Sequence, residues 1–463
     1  MTEQIPSGKE MDLGLSNTEG TQDTSMSIPV ASHADDRPIV NPDISLLDKL
    51  KTAYEHALRL SYQPEELSVL QALDAKSHMP HLWATQQIQT MSDEIKTVLL
   101  KSSPPFGSEA KLINTENGQF GFYPHFTGAS LIRRSLKSSC PAEALSWLEK
   151  VMSTTTARGS VINLLWGAPV DQEIEFMNGV KLVPFTSLTE TQLAPWRQSS
   201  SSSPITSIGG VFGIMPPQSA LIKNVSISPF LVKESETEKF LDRTDFIHTG
   251  EIFHSIALAL TAIGPRTVVS SAKWFVFDDP DLEDARLFKG HSMQPIEIIP
   301  HGPSNESLLD VEEAKPLVEA FLSLQGHTLA KTSVALKRLN QSRRRHNVGD
   351  QAVELATAFE ALLGDNATTE MTHKIKVRST RLLGGPIENR IRNAAIINKT
   401  YSIRSKLVHT GQVKADETET ISGQRMVASQ IVSEATYLCA QLIRMIILRR
   451  TIPDWATFDI VEQ

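Results

Sequence analysis

From Leu308 onward apolar residues recur at helical intervals with little interruption, which confines the last third of the chain to a bundle of helices. The 314–339 stretch carries Leu317, Phe321, Leu324, Thr328 and Leu336 at helix-compatible spacing. The 348–363 stretch carries Val353, Leu355, Ala356, Phe359, Leu362 and Leu363. A third helix is expected from about Thr372 to Leu383, where Gly384-Gly385-Pro386 stops it: glycine accepts the left-handed turn and proline cannot continue the hydrogen-bond ladder. The fourth runs from near Ile387 to His409, and the fifth from about Thr420 to Arg450. No fixed repeat period is sustained, so these helices read as a compact bundle and not a solenoid.

The preceding region has a different texture. Leu46, Leu47, Leu50, Tyr54, Ala57 and Leu58 mark a helix behind Pro42-Asp43, a start with a capping carboxylate, and Ile88, Met91, Ile95, Val98 and Leu99 mark another. Asn117-Gly118 and Asn178-Gly179 are dipeptides that tolerate positive φ and therefore favour hairpin turns. Strands are expected at 161–166, 180–185, 225–230 and 274–277, with helices near 142–152 and 251–263. The predicted fold class is α+β: a mixed α/β region over 43–303, followed by an all-α domain over 308–452. The serine run Ser199–Ser203 reads as a linker near 198–207, and Pro300-His301-Gly302-Pro303 as a boundary.

With 463 residues the chain can bury real cores and is long enough for about three domains. The polar stretch 1–42 has no apolar run and is expected to be a disordered tail, neither a signal peptide nor an anchor. No stretch is read as a membrane span, Ile256 to Ile263 and Ile443 to Leu448 being too short. Cys140 and Cys439 are the only cysteines, which indicates neither a disulfide framework nor a zinc site and suits a reducing cytoplasm. His78 and His81 flank Met79-Pro80, where proline is expected to break the aligning helix; His248 and His254 are six apart; Gly209-Gly210-Val211-Phe212-Gly213 lacks the Lys-Ser/Thr of a phosphate loop. No metal or cofactor is expected.

The net charge of −8 argues against a general nucleic-acid coat, but it is unevenly spread. From Lys337 to His409 there are 14 Lys and Arg against 6 Asp and Glu, a local net of +8. Within it lies Tyr401-Ser402-Ile403-Arg404-Ser405-Lys406-Leu407-Val408-His409-Thr410-Gly411. Arginine offers a permanently charged fork for phosphate oxygens, and histidine ordinarily titrates near neutrality, so Arg404 and His409 could together serve a phosphodiester without a metal.

These segments resemble the HEPN domains, specifically the ApeA-like subgroup. Asp350 to Leu363 is similar to the family's helix with an acidic start, Arg378 to Gly384 to its arginine-bearing helix, and Tyr401 to Gly411 to its Tyr, Arg-Ser, Val-His, Gly signature. The resemblance covers about Glu312 to Arg450, and it departs in having Ser405 after the motif arginine and Thr410 between His409 and Gly411. It implies a metal-independent endoribonuclease with the RNA 2′-hydroxyl as nucleophile, in anti-phage defence or a toxin-like role. His409 would be general base or phosphate-positioning group, and Arg404 would stabilise charge as a cyclic phosphate forms. It implies a homodimer with the motifs at the interface, and an N-terminal region that senses a phage-derived trigger or restrains the nuclease. The alternatives are a non-catalytic RNA- or nucleotide-binding module and a dimerising scaffold.

Five helical positions turn through about 500°, so residues i and i+5 point roughly 140° apart. Either the helix loosens before His409 or two chains share a cleft. Glu360 or Asp350 is a candidate to hold Arg404; Tyr401 either contacts RNA or is a core aromatic; Ser405 either touches phosphate or faces water. Arg378, Arg381, Lys406 and Arg345 are the expected RNA-backbone contacts.

Overall fold

The structure is a computed structural model that describes residues 44–61, 79–101, 111–115, 118–122, 124–202, 217–228, 231–233, 244–285, 292–293, 307–365 and 370–460. The expected tail, the Pro42-Asp43 cap, His78, the 209–213 glycines and the 295–303 boundary lie outside the described residues.

Two helices, α1 (Ile44–Arg59) and α2 (Met79–Lys101), lead into a hairpin, β1 (Lys111–Thr115) and β2 (Gly118–Phe122). Asn117 is outside the described residues, and Gly118 opens β2. Then come α3 (Pro124–Ser138), α4 (Pro141–Ser153), β3 (Ala157–Trp166), β4 (Ile174–Glu175), β5 (Val180–Pro184), α5 (Glu190–Ser202), β6 (Ser219–Ile227), β7 (Leu231–Lys233), α6 (Thr244–Leu260), β8 (Val269–Phe277), α7 (Pro280–Ala285) and β9 (Ser292–Met293). The β4–β5 turn is the one Asn178-Gly179 predicts, with φ of 65° and 68° at the two residues. The main sheet is antiparallel throughout, in the order β4-β5-β6-β3-β8-β9, and a smaller one runs β2-β1-β7.

Both faces of the main sheet are covered, which is why β3 reads as an apolar run and not as alternation. Val161 and Leu165 join the larger core, whereas Ile162, Leu164 and Trp166 face a second core closed by α5. There Trp196 stacks on Trp274 at 6.4 Å, and the Trp274 indole donates to the Gln192 carbonyl at 2.9 Å. Of the serine linker expected near 198–207, residues 198–202 instead end α5, and 203–207 lie outside the described residues. Pro80, expected to break a helix, instead sits in the first turn of α2, where its missing N–H costs nothing.

The later part comprises α8 (Val311–Leu322), α9 (Gly326–Arg344), α10 (Val348–Leu363), α11 (Met371–Leu383), α12 (Ile387–Thr410), β10 (Thr418–Ile421), β11 (Gln424–Val427), α13 (Ala428–Arg449) and α14 (Trp455–Ile460). The fold is α+β, as the residue pattern predicts. Two helical expectations change. The 314–339 run is two helices, because Ser323 caps α8 and Gly326, at φ 53°, starts α9. The helix expected from Thr420 begins only at Ala428, because Ser422 and Gly423, both at positive φ, turn the preceding segment into the β10–β11 hairpin.

Among the described residues α13 is long and apolar enough, by length and composition, to cross a membrane, although Glu434, Gln441 and Arg444 interrupt its apolar run. Its Ile431, Ala435, Leu442, Ile443 and Ile446 are buried, and it packs against α8 through α12.

The two parts share one contiguous core within Asp43–Gln463, from Leu50 through Phe275 to Phe321 and Ile443. A buried polar contact lies within their junction. Asn340 of α9, 8% exposed, donates from Nδ2 to Thr261 Oγ1 at 3.0 Å and to the Val268 carbonyl at 2.8 Å. Asn340→Ala leaves both acceptors buried and is expected to lower the unfolding free energy by about 1–3 kcal/mol, read from the shift of the chemical-denaturation midpoint.

Candidate functional site

The site is built on α12 and its neighbour α10, which run antiparallel. The Tyr401 hydroxyl donates to the Ala356 carbonyl at 3.3 Å, and six residues on, Leu407 lies over Gly349 at the start of α10. A Cβ on Gly349 would stand 3.0 Å from Leu407 Cδ1, so glycine permits this close approach. Asn347 caps α10 by accepting from the Gly349 N–H at 2.7 Å.

Helix α12 is unbroken through Thr410 and ends in Gly411 at φ 70°, whose N–H donates to the Leu407 carbonyl at 2.7 Å. The left-handed cap thus comes after His409 and not before it, which corrects the expectation of a loosened end. Arg404 and His409 therefore diverge by roughly 140° within one chain. Arg404 leaves the helix near the buried Tyr401, whose phenol feels its charge, whereas His409 is on the outer face with Ile391 and Ser402; both are exposed. Neither is consumed by an ion pair or hydrogen bond among the described residues.

Tyr401 is 8% exposed, and its phenol is pushed well above the usual range by burial, then by the adjacent Glu360 charge and a hydrogen bond to it, with Arg404 pulling the other way. It is a core aromatic with a satisfied hydroxyl, not a surface for stacking a base. Glu360 is half-buried beside it and Asp350 is exposed in the first turn of α10, where a carboxylate suits the helix dipole. No ion pair joins either of them to Arg404 among the described residues, so the expected carboxylate clamp is not formed. Ser405 is half-exposed.

The expected RNA contacts fare unequally. Arg378 is 1% exposed and gives its guanidinium to Asp459 and Asp365, both at 2.7 Å, and to the Leu363 carbonyl. It staples α14 to α11 beneath Trp455 and is not presented to a ligand. Arg381 donates to the Phe458 carbonyl at 2.6 Å in the same joint. These two assignments are corrected: the helical pattern does not disclose that α14 follows and covers them. Arg345 is exposed but pairs, with Arg338, to the buried Glu354. Lys406 is exposed and bound by both oxygens of Glu417 at 2.5 and 2.6 Å. The acidic partners Glu354, Glu417 and Asp459 were missed; Ser422-Gly423 is the signal that would have revealed the hairpin near Glu417.

Among the described residues no group of three His, Cys, Asp or Glu is placed to hold a metal ion. No family model, no curated protein and no solved structure matches the chain.

The upward shift of the Tyr401 pKa fixes a pH dependence. The unfolded phenol ionises near pH ~10 while the folded one stays protonated, so this stability is present below that pH and lost as pH rises above it. Tyr401→Phe is expected to make the alkaline loss of stability shallower in denaturation series from pH 9 to 12, the remaining slope including the buried Cys439 thiol, likewise raised by burial.

Proposed function

We propose that the chain is a metal-independent endoribonuclease of HEPN type that works as a homodimer. Arg404 and His409 are the catalytic pair, and RNA is the substrate because its 2′-hydroxyl is the nucleophile. One observation carries the reading: in a segment where Arg345, Arg378, Arg381 and Lys406 are all engaged by internal partners, Arg404 and His409 stay exposed and uncommitted. An external phosphate therefore meets these two with no internal bond to break.

His409 accepts the 2′-hydroxyl proton or orients the scissile phosphate; the 2′-oxygen bonds to phosphorus as the P–O5′ bond breaks and the 5′-oxygen leaves with a proton from water, and Arg404 stabilises the charge that develops as the 2′,3′-cyclic phosphate forms. The divergence of the two side chains along α12 requires each active cleft to combine Arg404 of one chain with His409 of another. The role in anti-phage defence or toxin-like RNA cleavage, with the α+β region sensing a phage-derived trigger, rests on the resemblance of the C-terminal helices. A cytoplasmic setting belongs to that same reading.

The unbroken helix also favours a second reading, in which a chain that does not dimerise binds RNA or a nucleotide through Arg404 without cutting it. The two separate cleanly. The nuclease reading expects cleavage of mixed-sequence RNA in EDTA, cyclic-phosphate ends, and a rate lowered about 10²-fold or more in both Arg404→Ala and His409→Ala. Intact RNA under those conditions, with affinity lost only in Arg404→Ala, would establish the binding module instead.

A further inference from the structure

Three cations on α12, Arg392, Lys399 and Lys406, recur every seven residues and so drift by only about 20° per step, forming one stripe along the helix. Each meets a carboxylate supplied by the chain that follows. Arg392 pairs with Glu434 of α13, Lys399 Nζ lies 2.8 Å from Glu419 of β10, and Lys406 Nζ lies 2.5 Å from Glu417 just before it. His409 is three positions beyond Lys406 and stands beside the end of this stripe.

The hairpin that brings Glu417 and Glu419 is itself firmly seated. Ile421 and Met426 are buried, and the chain is pinned by Ala428 N–H donating to the Glu417 carbonyl at 2.8 Å and Ser429 N–H to the Ala415 carbonyl at 3.1 Å. Its carboxylates are not buried: the Lys406 and Glu417 side chains are 45% and 37% exposed, and those of Lys399 and Glu419 31% and 38%. Ion pairs this exposed contribute little to stability and exchange readily, so either lysine can be released by rotating a side chain while the hairpin stays in place.

We propose that this stripe is a track for the phosphate backbone of single-stranded RNA leading to His409, with Glu417 and Glu419 as internal competitors that hold Lys406 and Lys399 until phosphates replace them. The inference rests on RNA being the substrate class. Polyanions that occupy the track must first displace two carboxylates. Arg392 anchors the far end, where its fork to Glu434 ties α12 to α13.

The test is the binding of a 2′-O-methyl RNA oligonucleotide, which lacks the nucleophile and stays intact, to the full chain across a salt series. Glu417→Gln/Glu419→Gln frees both lysines. It is expected to bind about tenfold more tightly at low salt, with a salt slope steeper by about 1.4, the share of two phosphate contacts on a single strand. Lys399→Gln/Lys406→Gln is expected to bind more weakly with a correspondingly shallower slope. Affinities and slopes equal to wild type in both variants, each shown folded by circular dichroism, would overturn the track. Because binding is read without cleavage, tighter binding by a chain that never cuts RNA would sink only the nuclease reading; active cleavage with unmoved affinities would sink only this one.

Discussion

The continuity of α12 governs what the candidate site can be. A helix hydrogen-bonded through Thr410 and closed by a left-handed glycine leaves no slack between Arg404 and His409, so the rotation of the α-helix alone sets their directions. That helix is in turn held in register by α10. Tyr401 against Ala356 and Leu407 over Gly349 fix its height, and burial of Ile396, Ile397, Thr400 and Ile403 fixes its rotation. Arg404 is thereby held near Tyr401 and His409 on the outer face of the helix. Any chemistry that uses both must add a second surface, and a second copy of the chain is the simplest one.

Charge within the helical region is sorted by burial. Arg378 is sunk among Asp365, Asp459 and the Trp455 ring, where removing one partner would strand a buried charge, so it serves as a joint. Glu354 is a buried carboxylate neutralised by two arginines that reach it from solvent. The pairs along α12 are half-exposed and hence exchangeable, and Arg404 and His409, like Lys337 of α9, have no internal partner among the described residues. The sequence total of +8 over 337–409 is thus a poor measure of the positive surface on offer.

Helices were legible where a single period persisted to an unambiguous stop. Residues 348–363 and 371–383 match their expected spans closely because Asn347 caps one and Gly384-Gly385-Pro386 ends the other. The failures share a physical cause. The serine run and Pro80 are weak local preferences that tertiary packing and first-turn geometry override, and the 418–427 hairpin reads as part of the following helix when the Ser422-Gly423 turn is passed over. Arg404 and His409 were legible as residue types in a pattern. Their partners were not: burial of Arg378 and capture of Lys406 depend on segments distant in sequence or following the motif, which helical spacing does not reach.

The most direct measurement mixes two inactive variants. Arg404→Ala and His409→Ala chains, each expected not to cut RNA alone, are unfolded together, refolded and assayed in EDTA beside wild type. A cleft shared between chains predicts that cleavage returns in the mixture, because a mixed dimer rebuilds one intact Arg404–His409 pair. A mixture as inert as either variant alone, beside an active wild-type chain, would contradict that account.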